Sequence, residues 1–300
     1  MAQLSGWVIK VTSSYDGSSN VDHTYVTSSD GHAWGCWGRS SGGVTIVGPV
    51  IASSKQADFM SNPNSHAGLA YGSTGVCHQT ANRILYFTGK IVSAARGYAA
   101  SSAMFGTYGR GQHCTTPGTP PSCRIPDIYV QREWRDRIRA GSKISGDITS
   151  EALTQSTTHD SNEDTMMQNY VTKVRMLYEE EIDEIESAGM SLNKQNDYLA
   201  QELDLLLDFR LGDQKNSEDP KHLHEYQSAM LAKKNDFYEE LMKNNITPEE
   251  YANKLNNLIS DFLKKSVTVL GKEKYSKLFN LEPYESVQIV DPEIMKISIQ

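Results

Sequence analysis

The sequence predicts an α+β chain: a small antiparallel-sheet domain carrying one cysteine-bearing helix, followed by an all-α bundle or hairpin module. Three observations predict it. The first is charge. Residues 1–145 hold 13 Lys+Arg and 7 Asp+Glu, a net of +6, whereas residues 146–300 hold 16 and 30, a net of -14. The second is composition, because the first part contains 18 of the 22 Gly, all four Trp and all four Cys. The third is periodicity. Short β-rich runs punctuated by turns give way after Ser145 to apolar spacing of three and four residues with capping signals. The divisions that follow are a first domain over 1–145, a linker over 146–162, an acidic helical domain over 163–283 and a tail over 284–300.

Several classes are excluded at this level. The chain has 300 residues, a length typical of about two domains. No stretch approaches the ~20 apolar residues of a membrane span. The start, Met1 to Trp7, has neither a basic patch nor an apolar core, so no Sec signal is read there and a cytoplasmic location is the default expectation. The overall charge of -8 disfavours nucleic acid as a partner. The basic stretch Arg124 to Lys143, with its interleaved acids, reads as a solvated helix face or a docking surface for the acidic half.

The elements follow in order. Gly6 to Thr12 reads as a strand, and Tyr15 to Asn20 as a turn. Asp22 to Thr27 is rich in β formers, and Asp30-Gly31 separates it from His32 to Gly38. A two-residue Asp-Gly turn would pair residues whose numbers sum to 61, placing Tyr25 opposite Cys36 and grouping His23, Tyr25, His32, Trp34 and Cys36 on one face. Val44 to Val50 is a third strand, with Pro49 favouring an edge. The glycines of Tyr71 to Gly75 lead into a helix beginning near Cys77, with Ala81, Ile84 and Leu85 on one side. Ile91 to Phe105 reads as a weakly patterned helix, 106–126 as loop, and Ile128 to Arg139 as a charged helix with Trp134 and Ile138 inward.

The second half is punctuated more clearly. Helices are expected over Met166 to Ala188, from Ser191 to Leu211, from Asp219-Pro220 to about Asn245, and from Thr247 to Leu270. Thr247-Pro248-Glu249-Glu250 is a capping box, and Gly271 separates a short fifth helix over Lys272 to Phe279. The tail carries β-like pieces, Val287 to Val290 and Ile297 to Ile299, suited to lying across another surface. His222 and His224 lack chelating spacing and read as surface residues.

A cysteine placed where a helix begins has a chemical use. Unpaired N–H groups and the helix dipole stabilise thiolate over thiol, and the same N–H groups can hold an oxyanion. A nearby imidazole completes the pair. His78 diverges from Cys77 by about 100° on a helix and is poorly placed. His23, on a strand, is the better base, and His32 on the partner strand is the candidate to orient it. Metal binding competes for Cys36, Cys77, His78, His113 and Cys114, but none has Cys-x₂-Cys or His-x₃-His spacing, so no metal is expected. No phosphate-loop fingerprint opens a helix, so no cofactor is expected either. Cys114 and Cys123 are either a disulfide or two free thiols.

The order His23 in Asp-His-Thr-Tyr-Val, then Cys77 in Gly-Val-Cys-His-Gln, resembles the circularly permuted papain-like cysteine hydrolases. That group includes the permuted NlpC-type enzymes and the lecithin:retinol acyltransferase-like proteins. The resemblance covers about residues 6–105. It implies that Cys77 is a nucleophile and His23 its base, with His32 nearest the third polar position. It also implies action on a peptide or on a small amide or ester. Apart from the resemblance, we expect the helical domain to bind a protein partner, cover the cleft or regulate access. The other class open to this sequence is a non-catalytic binding or assembly protein whose helices oligomerise.

Overall fold

Burial alternates along the first strand from Gln3 to Lys10, and three further strands assemble around it. The computed structural model describes residues 3–12, 19–35, 37, 40–61, 66–110, 127–144, 162–188 and 192–298. Residues 146–161 of the expected linker over 146–162, with His113, Cys36, Cys114 and Cys123, lie outside the described residues, and residue 162 begins a helix. The strands are β1 (Gln3–Thr12), β2 (Ser19–Ser28), β3 (Ala33–Gly35) and β4 (Val44–Ile51). They form one antiparallel sheet in the order β3-β2-β1-β4, which puts Pro49 on an edge strand as expected. Leu4, Gly6 and Val8 of β1 pair with Ser28, Val26 and Thr24 of β2 and face the core. Trp7, Tyr25 and His23 occupy the other face, their rings stacked in sequence at 6.4 and 6.3 Å.

The β2–β3 hairpin corrects the predicted register. Tyr25 opposes Gly35 rather than Cys36, and Val26 opposes Trp34. The loop has three residues, not two. Ser28 N–H donates to the His32 carbonyl at 2.9 Å, Gly31 N–H returns to Ser28 O at 3.2 Å, and Gly31 sits at φ 90°. This is the type I turn closed by a left-handed glycine, rather than the Asp-Gly type I′ turn. Asp30 is drawn out of the tight-turn geometry by the hydroxyls of Ser28 and Ser54, which also hold its carboxyl below the usual range. Adding one loop residue moves His32 to the face opposite His23.

Nine helices follow among the described residues: α1 (Ser54–Ser61), α2 (Cys77–Ile84), α3 (Tyr98–Phe105), α4 (Asp127–Gly141), α5 (Asn162–Ala188), α6 (Leu192–Leu211), α7 (Asp219–Met242), α8 (Pro248–Phe279) and α9 (Pro292–Ser298). The expected helix over 91–105 is real only from Tyr98, after turns over 93–97. The capping box at Thr247 is present, with Thr247 Oγ1 accepting from Glu250 N–H at 3.1 Å and Glu250 accepting from Thr247 N–H at 2.7 Å. Gly271 breaks the α8 dihedrals at φ 72°. The tail is not β: Val287, Ile289 and Val290 are buried in an irregular segment that ends in α9. Among the described residues, no helix is long and apolar enough to cross a membrane.

One hydrophobic core runs from Leu4 to Met295, so the two halves pack as one body. Its centre is polar. Helix α2 is buried along its whole length although it reads Cys-His-Gln-Thr-Ala-Asn-Arg-Ile. Gln79 donates to Gly106 O at 3.0 Å and Asn82 to Thr107 O at 2.8 Å. Arg83 donates to Tyr108 O at 2.5 Å, Ala67 O at 2.9 Å and the Tyr178 hydroxyl at 3.3 Å. Directly beyond, Arg110 reaches Glu181 of α5 at 2.7 Å and Glu202 of α6 at 2.9 Å, all three side chains being under 5% exposed. Burial works against the guanidinium charge, but the two carboxylates hold it firmly protonated. Gly106 permits this arrangement, because a Cβ there would collide with the guanidinium.

Arg110→Ala leaves two carboxylates buried without their cation. It should lower unfolding free energy by about 3–5 kcal/mol, measured by urea denaturation. A loss below about 1 kcal/mol would show that the cluster does not hold the halves together.

Candidate functional site

Among the described residues, β3 pairs with β2 only from Thr27 to Tyr25, and no strand lies beside the edge of β2 around Asp22. Buried backbone groups need partners, and other elements supply them. Asp22 N–H donates to Arg96 O at 3.0 Å. The Asp22 carbonyl accepts from the His78 ring at 2.9 Å, and Cys77 Sγ lies 3.9 Å from the same oxygen. The start of α2 is thus fixed against β2 where His23 follows Asp22.

Cys77 is the first residue of α2. The residue before it, Val76, is extended at φ -129° and gives no side-chain cap. Gln79 Oε1 accepts the Val76 N–H at 3.1 Å and turns the chain into the helix. The first-turn N–H groups therefore keep their partial positive charge near the thiol. Cys77 is 9% and His23 6% exposed, and both line one pocket.

His78 does structural work. It is fully buried between Asp22 O and Ser101 Oγ, the latter at 2.8 Å from Nδ1. A carbonyl only accepts, so Nε2 carries a proton and is committed to the β2 edge. His32 is not brought to the pocket. Its side chain is 59% exposed, 3.9 Å from Asp30, on the face opposite His23. The three-residue hairpin loop is the reason. No cluster of three or more His, Cys, Asp or Glu suited to a metal occurs among the described residues.

The rest of the pocket escaped the sequence reading. Trp37 and Tyr71 form an aromatic wall, with ring centroids 4.8 Å apart. His66 lies 4.2 Å from the Trp37 ring on its other contact. The remaining wall comes from the far end of the chain: Gln288, Ile289, Asp291 and Ile294. Asn256 of α8 clamps this segment, accepting from Ile289 N–H at 2.9 Å and Val290 N–H at 3.0 Å while donating to Val290 O at 2.7 Å. Asp291 N–H donates to the Tyr71 hydroxyl at 2.8 Å, which ties the two walls together. The signal for this wall was the apolar run Val287–Val290 in a polar tail.

Comparison with models of protein families, with curated proteins and with solved structures gives no match to this chain.

Two outcomes test this geometry. Asn256→Ala removes three hydrogen bonds and should speed amide exchange at Ile289 and Val290 by at least about tenfold, read by hydrogen–deuterium exchange; each net hydrogen bond is worth about 1 kcal/mol. Unchanged protection would mean that the clamp does not secure the wall. The second concerns His66, whose burial lowers its pKa from the ordinary 6.5. The folded state then binds this proton more weakly than the unfolded chain does. Its contribution to stability is intact above about pH 6.5 and is lost as pH falls through the lowered value. His66→Phe should flatten the fall in Tm below pH 6.5, and an unaltered slope would contradict the assignment.

Proposed function

We propose that the chain is a cysteine-dependent hydrolase or acyltransferase acting on an amide or ester bond. The observation that carries this reading is that Cys77, at the start of α2, and His23, on β2, line the same pocket. The resemblance to permuted papain-like enzymes points the same way, since it assigns these two residues the roles of nucleophile and base.

The chemistry follows from the groups present. His23 takes the Cys77 proton, and the sulfur attacks the carbonyl carbon, forming a C–S bond. The carbonyl oxygen becomes an oxyanion, which the N–H groups at the start of α2 are suited to hold. Collapse breaks the bond to the leaving amine or alcohol, which takes the proton from His23. Water, or an acceptor hydroxyl or amine, then gives a proton to His23 and attacks the thioester. Cys77 leaves as thiolate and is reprotonated, and the acyl group departs as acid or as the transferred product. The helical half completes the cleft, through residues 288–294, and holds α2 in place.

The pH dependence of Cys77 alkylation by iodoacetamide tests the pair. Half-maximal reactivity should lie well below the ~8.5 of a free thiol. His23→Gln should move it back toward that value and lower turnover of an activated ester by about 10²–10⁴-fold, and Cys77→Ser should abolish turnover with the fold retained. Ordinary thiol titration in the wild type, or turnover surviving Cys77→Ser, would overturn the assignment.

A further inference from the structure

We propose that the C-terminal segment selects the substrate: Ile289 and Ile294, with Trp37 and Tyr71, hold an uncharged apolar acyl group beside Cys77. The inference rests on the reading of Cys77 as a nucleophile and adds the substrate class and the residues that set it.

The lining carries the chemical argument. Four large apolar side chains, Trp37, Tyr71, Ile289 and Ile294, border the same pocket as the thiol. The charged side chains that line it are carboxylates, Asp22 and Asp291, and no Lys or Arg lines it among the described residues. Asp22 is 7% exposed, and its Oδ1 has no hydrogen-bond partner among the described residues. An anionic group brought there would meet the Asp22 carboxylate, whose Oδ2 accepts from the Arg96 backbone N–H at 2.9 Å, with no lining Lys or Arg among the described residues to offset the repulsion. An apolar group would bury its surface against two aromatic rings and two isoleucines.

The segment is held as a wall rather than draped as a cover. Asn256 clamps residues 289 and 290 by three hydrogen bonds, and Asp291 is bonded to Tyr71. Asp291 Oδ1 also accepts from Glu293 N–H at 2.8 Å, turning the chain into α9 and setting Ile294. Val290 and Met295 press on the turn at Gly72, where a Cβ would come within 2.9 and 2.8 Å of them. Arg96, beside the β2 edge, pairs with Glu285. A selecting wall must keep its position while substrates differ, and these contacts supply that rigidity.

Three small electrophiles test it on the full-length protein: iodoacetamide, N-benzyl-iodoacetamide and iodoacetate. In each, the thiolate displaces iodide and a C–S bond forms. Rates at the Cys77 peptide are followed by mass spectrometry and divided by those of glutathione. The benzyl reagent should exceed iodoacetamide by about tenfold, the order of discrimination expected of an apolar pocket, and iodoacetate should fall below it. Ile294→Ser should bring the benzyl preference down toward glutathione's, and Ile297→Ser, on the same helix but 73% exposed, should keep it. If Ile294→Ser does not fold, Trp37→Ala gives the same test from the other wall. Cys77 that outpaces glutathione with no benzyl preference overturns the inference and leaves the nucleophile standing. Equal acceleration of all three reagents in Ile294→Ser also overturns it, because the segment would then only cover the cleft. Cys77 no faster than glutathione with any reagent overturns the nucleophile assignment and this inference with it.

Discussion

A helix buried on every side can carry five polar side chains only if each finds a partner, and the fold is arranged around meeting that demand for α2. Leaving one such group unpaired costs roughly 1–3 kcal/mol, more if it is charged. Gln79, Asn82 and Arg83 therefore gather the carbonyls of Gly106, Thr107 and Tyr108, and His78 takes the carbonyl of Asp22. The 106–110 segment they organise presents Arg110 to Glu181 and Glu202, and Glu202 also accepts the Thr107 N–H at 2.8 Å. The helical half thus finishes the hydrogen bonding of the sheet half. This polar interior fixes the start of α2, and with it Cys77, against β2.

The opposed charges of the two halves take on a specific meaning here. An acidic module was expected to dock on a basic one. The contact at its centre is one buried arginine between two buried glutamates, with Tyr86 bonded to Glu179 at 2.7 Å nearby. Buried pairs are screened little by salt, so the association is not a surface attraction that ionic strength would dissolve. The same packing returns the chain's end to its beginning. Residues 288–294 complete a pocket whose other walls come from the first 77 residues.

Much of this was legible. The three principal strands, the helix beginning at Cys77, the Thr247 capping box and the break at Gly271 are local features, written in turn residues and periodicity. What was not legible was set at a distance. The hairpin register depended on Ser54, 24 residues beyond Asp30, helping to hold that carboxylate in a three-residue loop. That one residue separates His32 from His23. The buried state of Arg110 was hidden because a charged residue near glycines reads as exposed loop, and carboxylates from α5 and α6 reverse it; Arg83, inside the expected helix, is buried against the carbonyls of Tyr108 and Ala67 and the Tyr178 hydroxyl. The tail's extended apolar pieces read as strands, yet Asn256 and Tyr71 satisfy their backbone without a sheet. The helix start at Cys77 and the strand that carries His23 were local signals, whereas Trp37, Tyr71, Ile289 and Ile294 converge only in three dimensions.

In the proposed function, Cys77 and His23 act as one acyl-transferring unit. Trapping the acyl-enzyme with an activated ester, followed by peptide mapping, tests it most directly. The account predicts an acyl group on the Cys77 peptide that forms rapidly, decays with turnover, and is absent in Cys77→Ser. Acylation spread over surface lysines, unchanged in Cys77→Ser, would contradict it.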